Sequence, residues 1–112
     1  MHLDAKIFVA GSSGLVGSAL VRCLQRRGFQ NFLLPGRDRL DLTDSQAVKV
    51  FFETERPEYV FLAAAMVGGI HANQTYPADF IRENLLIQTN VIHQAWLSGV
   101  KRLLFLGSSC IY

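Results

Sequence analysis

Three glycines, spaced Gly11-x-x-Gly14-x-x-Gly17, stand between the apolar run Lys6–Ala10 and a helical pattern over Val16–Arg27. Glycine in the first place permits a tight turn. In the second it removes the side chain that would hold a pyrophosphate off the backbone. In the third it lets a helix close on the strand before it. The helix start then offers unpaired N–H groups and the positive end of its dipole to an anion. Ser12, Ser13, Leu15 and Val16 fill the remaining places of this cradle. The spacing is not the GxGxxG of typical dehydrogenases, and no Gly-Lys-Ser/Thr follows, so it is not a P-loop. A glycine triplet alone matches many ordinary turns. The strand–turn–helix setting is what points to a dinucleotide.

Three further stretches carry groups suited to the same ligand or to a substrate beside it. After the second apolar run the chain reads Leu34-Pro35-Gly36-Arg37, where an NAD-specific site usually has an acidic residue for the ribose 2′-OH. Arg37 suits the 2′-phosphate of NADP through charge-assisted hydrogen bonds. Asp38 and Asp41 offer it a competing salt bridge. Ala63-Ala64-Ala65 ends the next strand with side chains small enough for a cofactor to lie on the backbone. Gly107-Ser108-Ser109-Cys110 follows the last strand. A hydroxyl there can hydrogen-bond a substrate carbonyl, and a thiol of lowered pKa can move a proton. Taken alone, this stretch reads as a serine-rich turn with an inert cysteine. His2, His71 and His93 do not form a metal set, and no metal is expected.

These groups need elements to hold them. Lys6–Ala10, Asn31–Leu34, Tyr59–Ala63 and Arg102–Leu106 read as strands, with Arg39–Asp41 as a short further one. Val16–Arg27 reads as a helix with Val16, Ala19, Leu20, Cys23 and Leu24 on its apolar side and Gly28 at its end. Thr43 with Gln46 matches a capping box for a helix running to about Glu55. Pro77 suits the first position of a helix reaching about Ser98. Alternating strands and helices predict a Rossmann-type, doubly wound α/β domain over residues 1–112, with about five parallel strands. In such a sheet ligands sit at the carboxyl ends of the strands, which is where the singled-out residues fall.

Composition removes other classes. A net charge of +2 with scattered Lys and Arg lacks the basic stripe of a nucleic-acid binder. No apolar run is long enough to span a bilayer, and the start of the chain does not read as a signal peptide. The two cysteines are far apart, which fits a reducing cytoplasm better than a disulfide framework. Asn73-Gln74-Thr75 matches a glycosylation sequon with no secretion signal to support it.

The glycine loop together with Ala63-Ala64-Ala65 resembles the extended short-chain dehydrogenase/reductase superfamily. Three longer stretches, Ala63–Ile70, Asn73–Ile81 and Leu104–Tyr112, are similar to the GDP-L-fucose synthase family, and the likeness runs from about Lys6 onward. Val67-Gly68-Gly69-Ile70 and Gly107-Ser108-Ser109-Cys110-Ile111-Tyr112 are the more specific parts. The resemblance implies epimerisation of GDP-4-keto-6-deoxy-D-mannose at the two carbons flanking its ketone, then reduction of the ketone with NADPH. It makes Ser108 the serine that binds the keto oxygen and Cys110 the thiol that exchanges protons. It places Gly11–Gly17 on the pyrophosphate and Arg37 by the 2′-phosphate, and Asp38 counts among the cofactor-binding residues. Asp41 and Leu42 fall near the adenine, and Ala63–Ala65 with Leu106–Ser109 along the cofactor. It also implies a homodimer through the helix after Pro77, whose apolar residues point in several directions.

Two departures qualify it. Many bacterial members have His-Arg where this chain has Ser12-Ser13, so a cation beside the phosphates is missing. The family's Tyr-x-x-x-Lys pair, a second proton-transfer residue (a His) and the GDP-sugar-binding region would lie beyond Tyr112, so the 112 residues alone are expected to be inactive. The alternatives are another nucleotide-sugar epimerase, dehydratase or reductase, and a non-catalytic NADP-binding module. Cys110 and the Val67–Ile70 loop speak against the former.

Overall fold

Every residue of β1 (Ile7–Ala10) is apolar and buried, as a parallel strand covered on both faces requires. The computed structural model describes residues 2–12, 14–36, 38–63 and 77–105. In it, β1 pairs in parallel with β2 (Phe32–Leu33) on one side and β3 (Tyr59–Leu62) on the other, and β3 pairs in parallel with β4 (Arg102–Phe105). The order β2-β1-β3-β4 reverses direction at β1. The described helices are α1 (Leu15–Arg26), α2 (Ser45–Glu55) and α3 (Pro77–Leu97). This is the Rossmann-type parallel sheet with flanking helices that the sequence predicts.

Alternation along β1 divides the core in two. Phe8 and Ala10 face α2 and α3, where Leu40, Val48, Phe52, Val60, Leu62 and Val91 close around them. Ile7 and Val9 face α1, with Val21, Leu24 and Phe29. Phe8 and Phe52 are fully buried and meet edge to face, with centroids 5.6 Å apart. Phe51 tilts onto Phe8 at 4.7 Å. Each such pair adds roughly 0.5–1.5 kcal/mol to the burial itself. The aromatic cluster therefore anchors α2 to the centre of the sheet.

Four expectations change. The described sheet has four strands, because 39–41 is not one of them: Gly36 O accepts from Arg39 N at 3.0 Å and from Leu40 N at 2.9 Å, a turn that drives Leu40 into the core. The second strand is two residues long, not four. The cap of α2 is Asp44, not Thr43. Asp44 Oδ1 accepts from Gln46 N at 3.1 Å and Ala47 N at 3.3 Å, while the N–H and hydroxyl of Thr43 both donate to Asp41 Oδ1. Finally, α1 buries Gly17, Val21 and Leu24, and leaves Val16, Ala19 and Cys23 exposed. The face is fixed by Gly17, which must lie against the turn before the helix. Steps of four and three residues along a 3.6-residue period then bring Val21 and Leu24 inward.

Both longer helices that end in glycine end alike. Gly28, at φ +100°, lets Phe29 N donate to Leu24 O at 3.1 Å and Gly28 N to Gln25 O at 3.0 Å, which closes the helix with Phe29 packed beside Leu24. Val100 N to Ala95 O, at 3.0 Å, repeats the pattern after α3.

At the amino ends of the strands, Glu58 gathers three donors. Its Oε1 lies 3.1 Å from both His2 Nε2 and Lys101 Nζ, and its Oε2 accepts from the Lys6 backbone N–H at 3.2 Å. The His2 hydrogen bond, then those from the Lys6 N–H and the Lys101 ammonium, hold the carboxyl at about 2 rather than its ordinary 4.5, against the raising effect of desolvation. This cluster ties the N-terminus, β3 and the start of β4 together. It lies at the opposite end of the sheet from the glycine loop.

Candidate functional site

The order reversal places a crevice between the carboxyl ends of β1 and β3. Ala10 is level with Leu62, and Ala63 N donates to Ala10 O at 2.9 Å, so the chain leaves both strands at the same height. Gly11 and Ala63 therefore flank one point, the place where open parallel sheets receive ligands.

Gly11 turns with φ +87°. Gly14 N donates to Gly11 O at 3.1 Å, and Ser18 N then donates to Gly14 O at 2.9 Å to begin α1. Gly14 stands at the N-cap with no side-chain cap bond. The first-turn N–H groups have no acceptor within the helix, and no side chain at the cap takes one. Gly17 packs against the Gly11 carbonyl without room for a side chain. Leu15 is 86% exposed and Val16 is exposed too, beside this turn, so apolar surface lies next to free donors. A pyrophosphate flanked by less polar groups matches that arrangement, and the residues present fit a dinucleotide.

The β2–α2 loop forms the second wall. Asp38 is exposed, and its Oδ1 occupies the space a side chain on Gly36 would take. Asp41 Oδ1 accepts from Thr43 N at 3.0 Å and Thr43 Oγ1 at 2.6 Å, a local turn that leads into the Asp44 cap. Leu42 is half-buried against the α2–α3 core. Its carbonyl accepts from Asn90 Nδ2 on α3 at 2.8 Å. Asn90 was not singled out in the sequence, although an amide beside Val91 on a stripe that packs inward is a readable signal.

The structure thus brings together Gly11, Ser12, Gly14, Leu15, Val16, Gly17 and Ala63 around the crevice, and sets Asp38, Asp41 and Leu42 on the adjoining loop. Ser13, Arg37, Ala64, Ala65, Leu106, Gly107, Ser108, Ser109 and Cys110 lie outside the described residues, as do His71 and the Val67–Ile70 loop. Among the described residues no group of three His, Cys, Asp or Glu could hold a metal, and no helix is long and apolar enough to cross a membrane.

Comparison with known proteins agrees with this geometry. The model of the NAD dependent epimerase/dehydratase family matches residues 7–112. GDP-L-fucose synthase 1 of Arabidopsis thaliana is 68% identical over 97% of this chain and 34% of its own length. GDP-L-fucose synthase of Escherichia coli is 56% identical over 96% of this chain and 33% of its own. Among solved structures, a GDP-D-glycero-L-gluco-heptose synthase from Campylobacter jejuni, crystallised in the presence of NADPH, superposes with a TM-score of 0.92 at 52% identity. That match covers 100% of this chain and 33% of the other. The chain spans about a third of the length of the relatives it matches.

Proposed function

The chain belongs to the NAD dependent epimerase/dehydratase family, and on that premise we propose that it is the cofactor-binding portion of an NADPH-dependent GDP-L-fucose synthase. The observation that carries the reading is the glycine turn packed under an uncapped helix start at the β1–β3 switch point, in a chain whose high likeness to GDP-L-fucose synthases runs through that turn. The substrate is GDP-4-keto-6-deoxy-D-mannose, and the product is GDP-L-fucose.

The N–H groups of 15–17 and the Ser12 hydroxyl hold the pyrophosphate. The loop over 36–42 meets the adenosine end, with Arg37 on the 2′-phosphate and Asp38 and Asp41 setting its shape. Ala63, Ala64 and Ala65, with Leu106 to Ser109, line the path toward the sugar. When bound, NADPH would supply the hydride that reduces the ketone, and a proton donor of the complete protein would supply the proton that the resulting alkoxide takes up. Ser108 donates a hydrogen bond to the keto oxygen, which acidifies the C–H bonds on either side and serves both reaction stages. Cys110 exchanges a proton on one face of those carbons, and a second proton-transfer residue of the complete protein would serve the opposite face, so that the configuration inverts.

Assembly follows from α3. Ile81, Leu85, Ile92 and Trp96 form an outward stripe, and Trp96 is 77% exposed. A 21-residue helix that also buries Val91 and Ala95 needs a second partner for that stripe, and a second copy meeting it about a two-fold axis gives the complete enzyme as a homodimer. A cytoplasmic location suits the exposed free thiol of Cys23.

Reduction of a different GDP-linked 4-ketosugar is the second reading, favoured by the likeness to the Campylobacter heptose synthase. The experiment that separates them is NADPH oxidation by the complete protein with each ketosugar. Faster turnover of the 6-deoxymannose derivative supports the first reading, and preference for a heptose overturns it.

A further inference from the structure

Asn90 is the buried polar residue of the described core. It sits on α3 next to Val91, which lies one turn before Ala95, in a layer otherwise filled by aliphatic and aromatic side chains. A buried amide there is unfavourable unless it is paired. Its partner is the backbone carbonyl of Leu42, 48 residues away, at 2.8 Å.

Leu42 belongs to a loop with a defined internal shape. Gly36 O closes its first turn, Asp41 Oδ1 closes its second through Thr43, and Asp44 caps the helix that follows. Those bonds set the form of the loop. Burial of Leu40 and packing of Leu42 against the core press the loop onto the domain from within. The Asn90 amide adds a directional bond that fastens its backbone at Leu42 to a helix packed on the sheet.

We propose that Asn90 is a positioning residue for the adenosine half of the dinucleotide. It acts through the Leu42 carbonyl, which holds the stretch 38–42 in register with the crevice. The proposal rests on the reading of that loop as the adenosine wall. Asn90 itself touches neither cofactor nor substrate. Its effect is on how well one end of the cofactor is received.

The test uses the complete protein and two half-ligands: 2′,5′-ADP for the adenosine end and reduced nicotinamide mononucleotide for the other. Asn90→Asp keeps the shape but presents a carboxylate that cannot donate to Leu42 O. Asn90→Ala removes the amide. Loss of one such hydrogen bond corresponds to a rise of about tenfold in the dissociation constant for 2′,5′-ADP. Binding of the mononucleotide should stay within about twofold, and KM for NADPH should rise more than kcat falls. Equal weakening of both half-ligands, or no change in either, overturns the proposal. Should both variants fail to fold, the wild-type side-chain amide is followed by NMR. A shift of the Asn90 NH2 resonances on adding 2′,5′-ADP but not the mononucleotide supports the proposal, and resonances that both ligands leave unmoved overturn it. A wild-type protein that binds NMNH but not 2′,5′-ADP removes the adenosine-wall reading itself, and the proposal with it.

Discussion

A Cβ placed on Gly17 would run into the carbonyl oxygen of Gly11, and would stand 2.7 Å from that carbonyl's carbon and 2.9 Å from Ser12 Cα. These are backbone atoms, so the contact cannot be relieved by a side chain swinging aside. The close approach draws the start of α1 under the turn that leaves β1. Gly17→Ala in the complete protein is therefore expected to push helix and turn apart, at a cost of about 1–3 kcal/mol. NADPH affinity should fall at least tenfold, on the order of 1.4 kcal/mol, because the N–H groups over 15–17 move with the helix. Titration calorimetry alongside thermal unfolding checks both. Wild-type affinity in a stable Gly17→Ala protein would separate this packing from ligand binding.

The glycine turn was legible in the sequence because glycine is required there by sterics, and few other residue types can substitute. The strands were legible for a related reason: Ile7–Ala10 has no polar residue that could face water. Other features were ambiguous locally. Thr43 and Asp44 are both good caps. The choice went to Asp44 because Thr43 is engaged by Asp41, a contact between two loop side chains that propensity does not reveal. The run 39–41 has a strand-like apolar residue in Leu40, yet Leu40 is buried by a turn beneath α2 and not by a ladder. Val16, Ala19 and Cys23 are as apolar as Val21 and Leu24. Only the anchoring of Gly17 on the preceding turn decides which set faces the sheet. Asn90 was missed because its importance lies in a partner 48 residues away.

Glu58 gives a pH dependence whose sign is set by its depressed pKa. The folded carboxyl titrates at about 2, against 4.5 for the ordinary group. The unfolded chain therefore binds the proton first as the pH falls. The stabilisation is fully present above the ordinary value and is lost as the pH drops from about 4.5 toward 2. Glu58→Gln should lower stability at neutral pH and flatten the fall in melting temperature across that window. An unchanged acid slope in the variant would mean that other carboxylates govern it.

Trp96 and Leu85 lie on the outward stripe of α3. If that stripe is the seam between two copies, Trp96→Glu and Leu85→Glu should each convert a dimer into monomer at micromolar concentration. Sedimentation velocity reads the outcome. A wild-type protein that is already monomeric, or variants that remain dimeric, would move the interface elsewhere.

Arg37 follows β2 where a carboxylate would favour NAD. Arg37→Asp in the complete protein should weaken NADPH binding by about tenfold or more through loss of a charge-assisted bond, with far less effect on NADH. Comparable losses for the two cofactors would exclude Arg37 from the 2′-phosphate.

The proposed reaction has two separable halves, inversion of the carbons beside a ketone and reduction of that ketone. Running it with the complete protein in deuterium oxide and unlabelled NADPH separates them. Proton exchange at the two flanking carbons draws on solvent, whereas the hydride comes from the cofactor. The account predicts GDP-L-fucose carrying deuterium at both flanking carbons and hydrogen at the former ketone carbon, with Cys110→Ser blocking solvent exchange more than hydride transfer. A reduced product with no deuterium at either flanking carbon would contradict it.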